Sequence, residues 1–149
     1  MRRSSGRVAL MISLSAGILA IAGSARADDC KRIRGEINLT EGTIQGNFGL
    51  DGTVAFVEDS AGTPPATAPA GSSVFSGILT ITTGHGVVEL RETGMFSSRT
   101  GSPNGPVLAS WGEALTGTGR YQGVTGDLFF AGLVVGDAFL VDVSGELCR

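Results

Sequence analysis

Residues 116–128 read TGTGRYQGVTGDL, and the rest of the chain is arranged around this stretch. Four glycines punctuate it, and alternating apolar runs lie on both sides. Glycine permits positive φ and close approach of two backbones, so the pattern is typical of a strand with a tight bend or bulge at each end. Between the glycines lies the bulky pair Arg120 and Tyr121. The stretch indicates an architecture more than a chemistry.

Outward from this stretch, apolar residues recur at every second position. On its amino-terminal side Val107, Ala109, Trp111 and Leu115 form one face of a predicted strand. Such alternation is typical of half-buried β-strands, and the glycines around His85 indicate a hairpin tip. Helical periodicity is confined to the amino-terminal leader. We therefore predict an all-β meander of seven or eight antiparallel strands, which must close on itself or cover its edges.

The first 27 residues have the pattern of a secretory signal peptide. Three arginines precede an apolar run at 8–22, and the small-x-small sequence ARA follows at 25–27. The run has 15 residues, fewer than the roughly 20 that a spanning helix needs. We expect residues 28–149 to form a single β-barrel domain that is exported, periplasmic or extracellular, with no membrane span after cleavage.

The charge balance of the predicted mature chain is acidic. Four of the 11 basic residues and none of the 14 acidic ones lie in 1–27, so residues 28–149 carry seven basic and 14 acidic residues, a net charge of −7. A chain of this sign is a poor partner for nucleic acid or for an anionic membrane surface. We expect neither as a partner.

The two cysteines, Cys30 and Cys148, lie near the two ends of the predicted mature chain. In an exported protein such a pair indicates a disulfide, which would bring the chain ends within about 6 Å, Cα to Cα. A closed barrel does this naturally, because its first strand lies beside its last. The single histidine, His85, leaves too few ligands for a metal site. No phosphate loop or dinucleotide fingerprint is present, so we expect no metal and no cofactor.

With these strands in place, residues 117–128, GTGRYQGVTGDL, resemble the G-T-G-x-aromatic-x-x-A/V-x-G segment of the allene oxide cyclase and dirigent barrel superfamily. The chain is most similar to small exported bacterial members of unassigned function that end in a Gly-x-x-Cys-like tail, here 145–148. The resemblance implies an eight-stranded antiparallel barrel, often oligomeric, whose lumen in the enzymes holds an apolar oxygenated substrate. The acidic and other polar lumenal residues of those enzymes match no particular position here, so none is carried over.

Strand parity places candidate site residues without reference to any family. If the apolar faces point inward, Glu92 and Glu113 also point into the lumen, against apolar walls that would raise their pKa values. Trp111 lies on the same face as Glu113, and Tyr121 is near the same end of the barrel. These four residues form the predicted lumen pocket.

Two other interpretations of the glutamates stay open. A glycine bulge near Gly94 or Gly112 would reverse the parity and place both carboxylates in solvent. Alternatively, Arg91 or Arg120 would satisfy them as structural ion pairs. Two predicted loops, 60–72 and 99–106, would lie at the barrel rims and control entry to a lumen.

Three functions are consistent with these observations. We favour a non-catalytic exported barrel that holds a small apolar ligand or serves as a structural or envelope component. The alternative is a cyclase- or dirigent-type enzyme that steers an apolar oxygenated intermediate with lumenal carboxylates. The third is a homo-oligomer that functions through its outer face. A lumen filled by aromatic side chains would exclude the first two as lumenal functions.

Overall fold

The computed structural model describes residues 29–98 and 105–149. The predicted signal peptide, 1–27, and residues 99–104 of the second predicted loop lie outside this part of the chain. Within the described part, no helix is long and apolar enough to cross a membrane.

Eight strands form a single closed sheet. They are β1 Lys31–Asn38, β2 Thr43–Gly46, β3 Gly52–Gly62, β4 Ser72–Thr83, β5 Gly86–Ser97, β6 Val107–Gly117, β7 Thr125–Val135 and β8 Ala138–Cys148. Each strand pairs antiparallel with the next, and β8 pairs with β1. The predicted closed, eight-stranded, all-β barrel with meander order is therefore confirmed.

Alternation along the strands builds the wall and the core together. On β1, Ile33 and Ile37 are buried inside the barrel, whereas Arg32 and Arg34 are exposed outside it. A period of two places these residues on opposite faces of a pleated strand. The same rule on the other strands supplies one continuous hydrophobic core.

The chain ends meet as predicted. Cys30 and Cys148 form a disulfide with an S–S distance of 2.05 Å and a Cα–Cα distance of 3.9 Å. The neighbouring register pairs Lys31 with Leu147, so the two cysteines lie opposite each other across the β1–β8 seam. In the chain-entropy model, closing a loop of this length stabilises the fold by about 4–5 kcal/mol.

The barrel has two different ends. The cysteine end, defined by Cys30 and Cys148, carries the β2–β3, β4–β5 and β6–β7 connections. The loop end carries the β1–β2, β3–β4, β5–β6 and β7–β8 connections. The predicted loop at 60–72 is shorter than expected, because β3 continues to Gly62 and β4 begins at Ser72.

The glycine-rich stretch is a connection at the cysteine end, so the prediction of a strand across it is wrong. After β6 ends at Gly117, residues 119–121 form a 3₁₀ turn, and β7 begins only at Thr125. Gly119 has φ +58°, and a Cβ atom there would lie 2.3 Å from the His85 carbonyl oxygen. The connection packs this tightly because the Arg120 amide donates to the same oxygen over 2.8 Å.

Tyr121 closes the cysteine end from within. Its side chain is 1% exposed, and its hydroxyl donates to the Gly49 carbonyl over 2.8 Å. Its ring and the Phe48 ring pack edge to face with centroids 6.1 Å apart, and the Arg120 guanidinium lies over the Phe48 ring. A buried tyrosine needs a partner for its hydroxyl, and here that bond ties β6–β7 to β2–β3. Together with buried Leu50, it leaves this end of the lumen packed.

Candidate functional site

The other half of the lumen is a cavity. Its volume is about 330 Å³, and every strand except β2 contributes to its lining. The walls are mainly apolar and include four phenylalanines, which are Phe56, Phe75, Phe96 and Phe130. The lumen is therefore not filled by its aromatic residues.

Glycines at inward positions make this space possible. Phe56 lies over Gly77, where a Cβ atom would come within 2.6 Å of the ring. Phe130 lies beside Gly112, where the corresponding distance would be 3.2 Å. A glycine in a strand allows a close approach that a side chain would block. The two rings consequently pack along the wall, and the centre of the lumen stays open.

Glu92 is the buried polar group of the cavity. It lies on β5 between Gly77 on β4 and Gly112 on β6, so the residue directly opposite it on each neighbouring strand has no side chain. It is 5% exposed and lines the cavity, in the inward orientation that the parity of β5 predicts. The Ser110 hydroxyl donates to Glu92 Oε1 over 2.5 Å.

The surroundings of Glu92 favour its neutral form. Burial raises the pKa of this carboxyl above its ordinary value, and the Ser110 hydrogen bond acts in the opposite direction. Desolvation penalises the charged form, and a positive charge placed nearby would offset that penalty. Chemically, Glu92 can donate a hydrogen bond as an acid or pair with a cation as a carboxylate.

Two other predicted pocket residues lie outside the barrel. Trp111 is 41% exposed and pairs with Phe129 on the outer face of β6 and β7. Glu113 follows it on the same outer face and is exposed. The prediction that both point inward is wrong, because the inward face of β6 consists of small and polar residues together with Leu108. Those residues are Leu108, Ser110, Gly112 and Ala114.

The apolar alternation of β6 belongs to its outer face, which is why parity misled the assignment. A bulge exists, as one alternative allowed, but it lies at Leu115, after Glu113. It therefore does not explain the orientation of either glutamate. Neither glutamate is held by an arginine in the described part of the chain, where Arg91 pairs with Asp59 instead.

Tyr121 is inside the barrel but not in the cavity. It lies at the packed cysteine end, and the cavity lining does not include it. Of the four predicted pocket residues, the structure therefore brings only Glu92 to the cavity.

A second carboxyl of the cavity, Glu58, was missed by sequence reasoning. It lines the cavity from β3, one alternation beyond Phe56, and its side chain is exposed. The register pairs Glu58 with Gly77, and Gly77 with Glu92, so the two carboxyls lie in one row across three strands. Their backbones are then about 10 Å apart by ordinary strand spacing. Continuing the parity of Val54 and Phe56 by one step would have found Glu58.

The cavity opens beside the half of β3 that is nearer the loop end. Strand β2 pairs with β3 only at Gly52 and Thr53, so this part of the wall has a free edge. The exposed lining residues lie there, with Leu39 at 41% and Phe56 at 39% exposure. A ligand entering by this route passes Glu58 first and reaches Glu92 at the buried side.

Comparisons with known proteins add little to this description. No family model and no curated protein matches the chain. A solved structure of a dirigent protein, a pterocarpan synthase, is similar over 95% of this chain and 99% of its own, with 11% identity and a TM-score of 0.32. The fold assignment rests on the strand pairing and not on this similarity. The molecule is a closed eight-stranded antiparallel barrel with an internal cavity.

Proposed function

We propose that the protein is an exported, non-catalytic binding protein whose barrel holds one small, mainly apolar ligand in the lumen. The observation that carries the proposal is the cavity of about 330 Å³ with apolar walls and one buried carboxyl. Ligand pockets commonly have volumes of roughly 300–1,000 Å³, apolar linings and a few placed polar groups. The cavity has all three properties.

Burial of the apolar walls favours occupation of the lumen by a ligand. Water can enter through the open mouth, and a ligand that displaces it from the phenylalanine walls gains about 25 cal/mol for each Å² of apolar surface buried.

Export is part of the proposal. A structural disulfide persists in oxidising compartments, and the Cys30–Cys148 bond joins the two ends of the barrel. The signal-like sequence at 1–27 supports the same assignment. The periplasm and the extracellular medium are both compatible with it.

A second candidate function is an enzyme of the cyclase or dirigent type, and Glu92 is the observation that favours it. A buried carboxyl whose pKa is raised can deliver a proton to a reacting oxygen in an apolar pocket. Turnover of a bound, chemically reactive ligand that is lost in Glu92→Gln, with binding retained, would establish catalysis. Absence of turnover in the wild-type protein would remove the enzyme hypothesis, and turnover unchanged in Glu92→Gln would remove Glu92 as its proton donor.

Native mass spectrometry of the protein purified from its own producing cells tests the binding function. We expect an adduct of small-molecule mass on the wild-type protein and loss of that adduct in Ala61→Trp, where the new side chain enters the cavity. Ala55→Trp is the matched control, because Ala55 is exposed on the outer face of the same strand. A bare wild-type mass, together with no binding of the neutral fluorophore N-phenyl-1-naphthylamine, would overturn the proposal.

A further inference from the structure

We propose that the ligand of the lumen is a hydrophobic amine, bound as its ammonium form with the nitrogen at Glu92 and the apolar body along the phenylalanine walls. This inference rests on the proposed binding function and specifies the chemical class of the ligand.

The described ionisable groups that line the cavity are all acidic. Its lining contains two carboxyls, Glu58 and Glu92, and the side chain of Ser73, but no described basic residue. The described arginines lie elsewhere: Arg32 and Arg34 are exposed on the outer face of β1, and Arg91 pairs with Asp59 outside the barrel. At the cysteine end, Arg120 lies over Phe48, and Arg149 donates to the Arg120 carbonyl. An anionic amphiphile would bring a further negative charge to two carboxyls, with no lining cation to balance it. A cation complements them.

One oxygen of the Glu92 carboxyl, Oε2, remains available to a ligand. Ser110 donates to Oε1, so this hydrogen bond does not involve Oε2. Within 29–98 and 105–149, no second side-chain donor reaches this carboxyl, and the group faces the cavity. An ammonium carries donors and no acceptor, so it can bond to Oε2 without competing for the Ser110 hydroxyl.

The walls accept the same class of ligand. An ammonium or its adjacent methylene groups interact favourably with the faces of aromatic rings, and four phenylalanines line this cavity. Phe56 and Phe75 form an edge-to-face pair, with ring centroids 5.4 Å apart, on the side of the mouth. The volume of 330 Å³ is about twice that of an engineered 150 Å³ cavity that binds benzene. A body of one or two rings fits this space.

Binding and ionisation of Glu92 are then coupled. Burial raises the pKa of Glu92, and a bound cation favours its ionised form and lowers that pKa again. Acidification that protonates Glu92 therefore weakens amine binding and leaves a neutral ligand unaffected. Among the described residues, the other titratable group that lines the cavity is Glu58 from β3, while β4 contributes Gly77 and β6 contributes Ser110 and Gly112 beside Glu92.

Isothermal titration calorimetry tests the inference with three ligands that share a naphthalene ring system and differ only in their polar group. The ligands are 1-naphthylmethylamine, 1-naphthalenemethanol and 1-naphthoic acid, added to the disulfide-bonded protein expressed from the full-length sequence. At about pH 7.5 we expect the amine to bind about tenfold more tightly than the alcohol, and the acid more weakly than the alcohol. The preference for amine over alcohol should shrink on acidification to about pH 5.

Two matched substitutions separate Glu92 from the acidity of the whole protein. Glu92→Gln should reduce the amine-to-alcohol ratio to about one while retaining alcohol binding. Glu113→Gln removes the same charge from the outer face of β6 and should leave the ratio unchanged. If Glu92→Gln does not fold, the pH series on the wild-type protein gives the same comparison.

The outcomes distinguish the two proposals. An alcohol or acid that binds as tightly as the amine, or an amine preference that survives acidification, overturns the amine inference and leaves the binding function standing. The same holds if none of the three binds but N-phenyl-1-naphthylamine does. If neither the three ligands nor the fluorophore binds and the native mass is bare, the binding function itself fails.

Discussion

The two ends of the barrel use the same wall differently. At the cysteine end, Tyr121 and Leu50 fill the lumen, and the disulfide closes the β1–β8 seam. At the loop end, Phe56 and Phe130 pack against Gly77 and Gly112, and the lumen stays open. One end therefore holds most of the packing that stabilises the barrel, whereas the other has the shape and chemistry of a binding site. Substitutions at each end should separate stability from binding.

Removing the disulfide across the β1–β8 seam should have the largest effect on stability. The double substitution Cys30→Ser and Cys148→Ser removes the disulfide without leaving a free thiol, and we expect the free energy of unfolding to fall by about 4–5 kcal/mol. Urea denaturation of the variant and of the wild-type protein measures the difference. A loss below about 1 kcal/mol would mean that the β1–β8 pairing alone holds the ends together.

Truncating Tyr121, which fills the cysteine end of the lumen, should lower the free energy of unfolding nearly as much. Tyr121→Ala deletes a ring that is 1% exposed, and we expect a loss of about 3–5 kcal/mol. The milder Tyr121→Phe keeps the ring and removes the hydroxyl that donates to Gly49, at a cost of about 1 kcal/mol. Thermal and urea denaturation of both variants separate packing from hydrogen bonding. If Tyr121→Ala and Tyr121→Phe lower the free energy of unfolding equally, the ring of Tyr121 does not stabilise this end through its packing.

The same truncation at the loop end should cost less. Phe75 lines the cavity and is half-buried, so Phe75→Ala enlarges a space that already exists, and we expect a loss of about 1–2 kcal/mol. Ligand binding, measured by calorimetry, should instead weaken more than in any variant at the cysteine end. If Phe75→Ala destabilises the protein as much as Tyr121→Ala does, the division between the two ends is wrong.

The pH dependence of stability should show the smallest effect. Because burial raises the pKa of Glu92, the ligand-free folded state binds the proton more tightly than the unfolded chain does. Glu92 therefore lowers stability as pH rises from the ordinary carboxyl pKa through the raised one, and has no such effect below this window. Glu92→Gln removes the titrating group, so its stability relative to the wild-type protein should increase with pH across the window. Urea midpoints measured between about pH 4 and pH 7 test this, and a difference independent of pH would contradict it.

Most of the architecture was readable from alternation and turn residues. The strands, the hairpin at His85, the meander order and the Cys30–Cys148 bond all follow from local patterns and from two cysteines at the chain ends. The inward orientation of Glu92 was also predictable, because β5 alternates without interruption from Val88 to Phe96.

The site was less predictable, because alternation defines two faces of a strand without saying which is inside. On β6 both faces carry apolar residues: Trp111 and Leu115 are outside, whereas Leu108 is inside. The inner face needs small residues there, since Phe130 from β7 occupies the space beside Gly112. Glu58 was not predicted for a related reason. The apolar alternation of β3 stops at Phe56, but the strand continues to Gly62.

Period-two patterning and the positions of the two cysteines were enough to specify a closed antiparallel barrel whose first and last strands are joined, because both signals are visible in the sequence. The folded arrangement was needed to show which strand faces meet inside, that Tyr121 fills one end, and that Glu58 and Glu92 share the cavity at the other. These outcomes depend on side chains from strands distant in sequence competing for one enclosed volume. No pattern within a single strand records that competition.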